Sequence, residues 1–460
     1  MKCFSNEFVP IFFVPKNRYL IYIMKVYYAF FVFLPFCAFG MDDCATMRHV
    51  PDIEMTLAQV VDMGLCRNPN TAAAYATLQS QRFTKNASYS KYLPSVSGGF
   101  GSDRSHTNHD DWNYSASLSA SYLIFDFGKR ESDFAQTLAT YRAAGFDYDE
   151  TVQNFIYSVV GAYYELLNMD AAVISAKSAL TVAQTAKETA DKKYKSGAVA
   201  RADVYKADTT LASSQLALER AKNNREIAKG TLLNILSFSA DEDIKIKDMP
   251  SSFGSAAESE SIDKLISIAR EKRPDLLKAK SQTNAAWHRR NSAFLQNLPS
   301  ISVNAGITTN DKTTGGMFEN MTLKTHGTIG FSASMPIFTG FLNFYNARSA
   351  NADYESIKHS EQNVANNAMM DVFTAYQNYK TAQTVLKQTE ILLKSATENE
   401  RVTSGMYKVG RATMLDWQTA QSELADARNQ HNSAKYDLFV KRAAVALAIG
   451  DIKNGLKDNN

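Results

Sequence analysis

Proline is missing from two long stretches of this chain, from Gly128 to Gly197 and from Gly340 to Gly410, although ten prolines occur elsewhere in its 460 residues. A proline inside a helix removes a hydrogen bond and clashes with the preceding turn, so each stretch reads as one uninterrupted helix. At 1.5 Å per residue, roughly 65 residues make a rod of about 100 Å, longer than any globular helix or a bilayer. Leucine and isoleucine are also thin there. Alanine, glutamine, threonine, serine, asparagine and lysine dominate, which suits helices packed side by side around water better than a solid core.

Other absences narrow the function. The formal net charge is only +3, and residues 1–40 carry all of it, with Lys2, Lys16, Arg18 and Lys25 against Glu7. No basic field for nucleic acid exists. The sequence contains no Walker loop, no His-Glu-x-x-His and no Gly-x-Ser-x-Gly, and its seven histidines are scattered; no catalytic chemistry and no cofactor is indicated. His106-x-x-His109-Asp110-Asp111 has metal-like spacing, yet it falls in a polar stretch that reads as a solvated loop.

No segment after residue 40 is expected to cross a bilayer as a helix. Residues 1–40 read instead as an export signal. Met24-Lys25 gives a positive start, Val26 to Phe39 an apolar run short of the ~20 residues of a spanning anchor, and Ala38-Phe39-Gly40 the small residues of a cleavage site. Met24 is the alternative initiator. Of the four cysteines only Cys44 and Cys66 lie beyond this leader. In an oxidising compartment the two are placed to pair; the alternative is two separate thiols.

What is present in abundance is internal repetition. Tyr194-Lys195-Ser196-Gly197 returns as Tyr407-Lys408-Val409-Gly410, 213 positions later. At the same offset Phe125 matches Phe338, Ala162-Tyr163 matches Ala375-Tyr376, Asp203 matches Asp416 and Leu211 matches Leu424. Upstream the offset is 205, pairing Pro69 with Pro274 and Leu93-Pro94-Ser95 with Leu298-Pro299-Ser300. The chain is therefore two tandem copies of one half-protein, spanning 41–236 and 261–450. A polar linker covers 237–260 and a tail 451–460.

Each copy changes period once. Tyr114, Ala116, Leu118, Ala120, Tyr122 and Ile124 alternate with Ser115, Ser117, Ser119 and Ser121, and Ile329, Phe331, Ala333 and Met335 alternate with Thr328, Gly330, Ser332 and Ser334. Such alternation gives strands with one apolar and one polar face, as in transmembrane barrels. Hairpins are expected over 95–125 and 300–338, with polar loops at 103–111 and 309–324. Four strands cannot close, so strands that cross a membrane require several chains in one barrel. A half-buried sheet of a soluble periplasmic coiled-coil protein is the competing reading.

The order of helix, Leu-Pro-Ser hairpin, Ile-Phe-Asp-Phe-Gly (124–128) or Ile-Phe-Thr-Gly (337–340), long helix, Tyr-Lys-x-Gly turn and returning helix, all duplicated, resembles the TolC family of outer membrane efflux proteins over residues 56–450. The resemblance implies a mainly α fold with membrane β-strands, in which a homotrimer shares a twelve-strand outer membrane barrel and a long-helix α-barrel crosses the periplasm. It also implies a periplasmic adaptor and an inner membrane transporter, of the ATP-binding (ABC) or proton-driven (RND) type, docked at the inner end. Cys44 and Leu65-Cys66-Arg67-Asn68-Pro69 resemble branches tied to type I protein secretion; multidrug efflux is the alternative.

The same resemblance places a gate at the helix tips, 194–203 and 407–416. Asp203 and Tyr407 match positions that join neighbouring helices in the closed state, and Asp416 matches one of an acidic ring. The family's latch arginine falls at Ala412, with Arg411 beside it, and the second ring aspartate falls at Thr419. Either Arg411 or Arg201 replaces the arginine, or the gate is looser. Gly197, Ala198, Val409 and Gly410, in the turns 196–199 and 409–412, are candidates for adaptor contact. Read from the residues alone, Asp203 and Asp416 are first-turn carboxylates favoured by the helix dipole, Thr413-x-x-Asp416 is a capping box, and Tyr194 and Tyr407 pack above the turns.

Overall fold

The computed structural model describes residues 50, 53–106, 110–247, 261–314 and 324–455. The expected leader, Cys44, His109, most of the linker and the end of the tail lie outside them. In chain order the elements are β1 (Glu54–Met55), α1 (Leu57–Arg67), α2 (Pro69–Ser88), β2 (Ser95–His106), β3 (Asp110–Phe125), α3 (Lys129–Lys195), α4 (Arg201–Ile235), β4 (Lys245–Ile246), α5 (Ile262–Lys272), α6 (Pro274–Leu295), β5 (Ser300–Thr314), β6 (Lys324–Ser334), α7 (Leu342–Lys408), α8 (Met414–Ala448) and α9 (Ile452–Gly455).

The duplication governs the boundaries. α5 starts and stops 205 positions after α1, and α7 and α8 start and stop 213 positions after α3 and α4. The two long helices are each 67 residues and the returning helices each 35. Local chemistry explains the starts. Thr56 and Gln59 form a capping box ahead of α1. The Asn68 side chain accepts the amides of Asn70 and Thr71, with Pro69 at the first helical position of α2.

The long helices pack through small side chains at a seven-residue interval. On α7 the buried positions include Ala368, Val372, Tyr379, Ala382, Thr389 and Ala396, and on α8 they include Trp417, Ala420, Leu424, Ala427 and Ala434. A strict heptad seam winds helices about each other in a left-handed sense, and alanine at the seam lets the axes approach closely. Larger apolar residues gather at mid-length. There Val159, Val160, Tyr163, Leu166, Leu232, Leu233 and Leu236 pack with Val60 and Val61, and Leu265, Val372, Val445 and Ile449 form the matching cluster of the second copy.

Within the segment expected to be an equatorial side feature linking the copies, β4 pairs in parallel with β1, and the Tyr163 hydroxyl donates to the Lys247 carbonyl at 2.7 Å. Two-residue strands carry too little pattern to read from sequence. Composition misled the sequence reading once more, since α3 does contain a stretch long and apolar enough to cross a bilayer by length and composition. Its Leu, Val and Ala are spread among polar residues, and the helix of 67 residues is far longer than a bilayer.

The main sheet is antiparallel in the order β2-β3-β5-β6, so the β3–β5 pair joins the two copies. One face carries a ladder of small polar groups. Ser97 and Ser119 share a hydrogen bond of 2.8 Å, Ser121 donates to Asn304 at 2.8 Å, and Asn304 donates to Ser332 at 3.0 Å. On the other face Phe100, Ile329 and Phe331 are 77%, 80% and 78% exposed, and no second layer covers them among the described residues.

Of the loops expected at 103–111 and 309–324, the described residues 103–106, 110–111, 309–314 and 324 are strand. Asp103 pairs with Asn113, His106 with Asp110, and Asn310 with Lys324. Main-chain pairing continues past the point where the apolar alternation stops, because the ladder needs only N–H and C=O groups. His106 is thus a ladder residue, and no His/Cys/Asp/Glu cluster fit for a metal occurs among the described residues.

Two glycines with the same backbone handedness separate strain from crowding. Gly450 has φ +78°, and a Cβ there would lie 2.8 Å from Arg273 Cα; Gly197 has φ +74° with nothing within 4 Å. Gly197→Ala is expected to lose about 1 kcal/mol, the left-handed penalty alone. Gly450→Ala should lose roughly 1–3 kcal/mol more through overpacking. Thermal unfolding followed by circular dichroism checks the order, and equal melting points would refute the packing argument.

Candidate functional site at the helix tips

Both long helices end in the same way. Ala198 N–H reaches back to the Lys193 carbonyl at 2.8 Å and Gly197 N–H to Tyr194 at 2.9 Å; Arg411 N–H reaches Met406 at 2.8 Å and Gly410 N–H reaches Tyr407 at 3.1 Å. These are Schellman closures, which need a left-handed residue at the turn. Gly197 at φ +74° and Gly410 at φ +79° provide it. Ala198, Val409 and both glycines are exposed at the two turns.

Beyond the turns the copies diverge. Tyr194 is 44% exposed, whereas its counterpart Tyr407 is 2% exposed. Tyr407 packs in a cluster with Ala186, Ala190, Ala207, Met414 and Trp417. Its ring lies 5.1 Å from that of Trp417, whose indole N–H donates to Glu400 at 3.0 Å. Lys193 stands with its ammonium 4.3 Å from the centre of the Tyr407 ring and donates to the Tyr407 carbonyl. The Gln418 amide crosses between copies to the Lys206 carbonyl at 2.9 Å and to the Thr210 hydroxyl.

Asp203 sits in the first turn of α4, half-buried. Burial raises the Tyr407 phenol above its ordinary value, and the nearby Asp203 charge raises it further. The two expected gate residues are therefore close within one chain. No hydrogen bond joins them, and the buried Tyr407 hydroxyl has no hydrogen-bond partner among the described residues.

Asp416 is exposed and closes a capping box. Its carboxylate accepts from Thr413 N–H at 2.8 Å and from the Thr413 hydroxyl at 2.7 Å. Those bonds, the hydroxyl's first, hold its pKa below the usual carboxylate range.

Arg411 is exposed, and its guanidinium has no partner among the described residues. Arg201 lies over the Tyr205 ring at 5.4 Å. Ala412 packs against the Tyr407 cluster, and Thr419 is exposed. Cys66 is disulfide-bonded and lies in the last turn of α1. Its expected partner Cys44 lies outside the described residues.

Sequence reasoning missed Lys193, Glu400, Trp417 and Gln418. The signal was in the repeat itself. At the 213-residue offset their counterparts are Met406, Lys187, Val204 and Tyr205, so these are places where two otherwise matched copies differ in charge or size.

Two outcomes follow from the geometry. Tyr407→Phe should leave tip stability unchanged or raised, because it removes an unpartnered buried hydroxyl. Tyr407→Ala should lose roughly 3–5 kcal/mol locally by opening a cavity; hydrogen exchange at 400–420 checks both. The cap on α8 should respond to acid. With a depressed folded pKa, Asp416 adds stability above the usual carboxylate range that is lost as pH falls through the depressed value. Amide protection at 413–417 should show that acid limb, and Asp416→Asn should abolish it.

A family model described as outer membrane efflux protein matches residues 60–237 and 265–451, once per copy. Protein CyaE of Bordetella pertussis is 21% identical over 418 residues, covering 88% of this chain and 86% of its own. Toxin and drug export protein A of Aggregatibacter actinomycetemcomitans is 22% identical, covering 85% of each. The open-state structure of the Neisseria gonorrhoeae MtrE outer membrane channel superposes with a TM-score of 0.75 at 20% identity, covering 86% of this chain and 89% of that one. With two repeats matched across most of its length, the chain belongs to the outer membrane efflux protein family, whose members are channels of the outer membrane that extend into the periplasm.

Proposed function

We propose that three copies of this chain form one export duct, and the observation that carries the reading is the four-stranded sheet. Its outer strands β2 and β6 each have a partner on one side only among the described residues. An open edge is not tolerated in hydrocarbon, because its N–H and C=O groups have no water to bond. Three four-stranded sheets meeting edge to edge give a closed barrel of twelve strands. The Ser/Thr/Asn face would then line the lumen and the Phe/Ile/Val face would meet lipid.

Below the barrel, the 67-residue helices of three chains form a tube through the periplasm. The tips close it, with Asp203, Tyr407, Arg411 and Asp416 at the gate and the turns at Gly197, Ala198, Val409 and Gly410 receiving a periplasmic adaptor. An inner membrane transporter delivers cargo through that adaptor. We favour an ATP-driven transporter exporting polypeptide. The disulfide-bonded Cys66 within Leu65-Cys66-Arg67-Asn68-Pro69 supports this lean.

The duct reading is tested in planar bilayers. The double variant Asp203→Ala with Tyr407→Ala should raise single-channel conductance several-fold, and unchanged conductance would remove these residues from the gate. Cargo is tested by mild crosslinking in intact cells and mass spectrometry of what copurifies. An ATP-binding transporter is the expected companion, and a large proton-driven pump would overturn the secretion lean in favour of small-molecule efflux.

A further inference from the structure

Resting on the duct reading, we infer that Lys193 is the clamp that keeps each chain's tip closed by holding the first helical hairpin to the end of α7. Three observations converge on this residue. Lys193 lies in the last turn of α3, and its neighbours Lys192 and Lys195 are exposed while Lys193 is half-buried. Its ammonium does not seek a carboxylate; it donates to the Tyr407 carbonyl in the last turn of α7 and faces the Tyr407 ring at 4.3 Å.

A cation at that place meets two favourable fields. The last carbonyls of a helix lack intrahelical donors and carry the negative end of its dipole, and an aromatic face attracts an ammonium. The same side chain also covers the ring, adding to the wall that makes Tyr407 2% exposed. One residue of the first copy thus both caps a helix of the second and shields its buried tyrosine.

The contact is one-sided. Position 406, the counterpart of Lys193, is a methionine that is 47% exposed, and Tyr194, the counterpart of Tyr407, is 44% exposed. No reciprocal clamp exists among the described residues. The Lys193 contact thus has no mirror image at the other turn, and the bond that crosses in the opposite direction is of another kind, from the Gln418 amide to Lys206 and Thr210. Arg411 and Arg201 make no such crossing: the first has no partner for its guanidinium among the described residues, and the second rests on Tyr205 of its own helix.

Opening the tip requires the first hairpin to part from the second, and this bond must break when it does. Lys193→Met keeps the stem and removes the charge, and Lys193→Gln is the second uncharged variant. Full-length protein carrying Lys193→Met should show an open-to-closed ratio about tenfold higher in planar bilayers, equivalent to about 1.4 kcal/mol. Lys193→Arg should restore closure, which a purely steric role of the stem would not require. If the Asp203→Ala, Tyr407→Ala channel opens while both uncharged Lys193 variants conduct like the parent, the clamp is refuted and the gate stands. If none of these variants alters conductance, the gate reading itself fails. Should neither uncharged variant reach the membrane as an assembled channel, Lys193 serves folding rather than closure, and the inference is overturned.

Discussion

Away from mid-length and the tip, the helices of 67 residues pack on their neighbours here chiefly through alanine, and most other features follow from that constraint. A seam of alanines buries little apolar area per residue, so each turn contributes weakly and the length must compensate. The heptad interval seen in Ala368, Ala382, Thr389 and Ala396 commits the helices to wind about their neighbours along the whole rod. A larger residue at the seam would force the axes apart.

Because the seam is shallow, tight packing is concentrated at two levels. Mid-length holds the leucine and valine clusters, together with the small β1–β4 pair fastened by Tyr163. The tip holds the cluster around Tyr407 and Trp417. Between these levels lies the smaller cluster of Ala396, Leu424 and Ala427.

Much of this was legible in the sequence because it rests on periodicity and on glycine. The offset of 213 between Tyr194 and Tyr407 foretold identical helix boundaries, and Gly197 and Gly410 marked the turns. Alternation over 114–124 announced the sheet. What escaped were features that depend on which neighbour a side chain meets in space. Tyr194 and Tyr407 read alike, yet one is exposed and the other buried, since the difference lies in Lys193, Met414 and Trp417. The strands also outran their pattern, with Asp103 and His106 still paired where the residues had turned polar.

The free edges of the sheet bear on how the protein comes to exist. Strand β2, with 12 residues, and strand β6, with 11, each present one side without a partner strand among the described residues. In the proposed assembly no single chain completes its own fold, so the final step is a meeting of three molecules and its rate rises steeply with their concentration. Until then every newly exported chain carries two sticky borders and a bare apolar face. In that assembly the yield of finished channels is accordingly set by a race between correct encounter and misjoining, both of which quicken as chains accumulate.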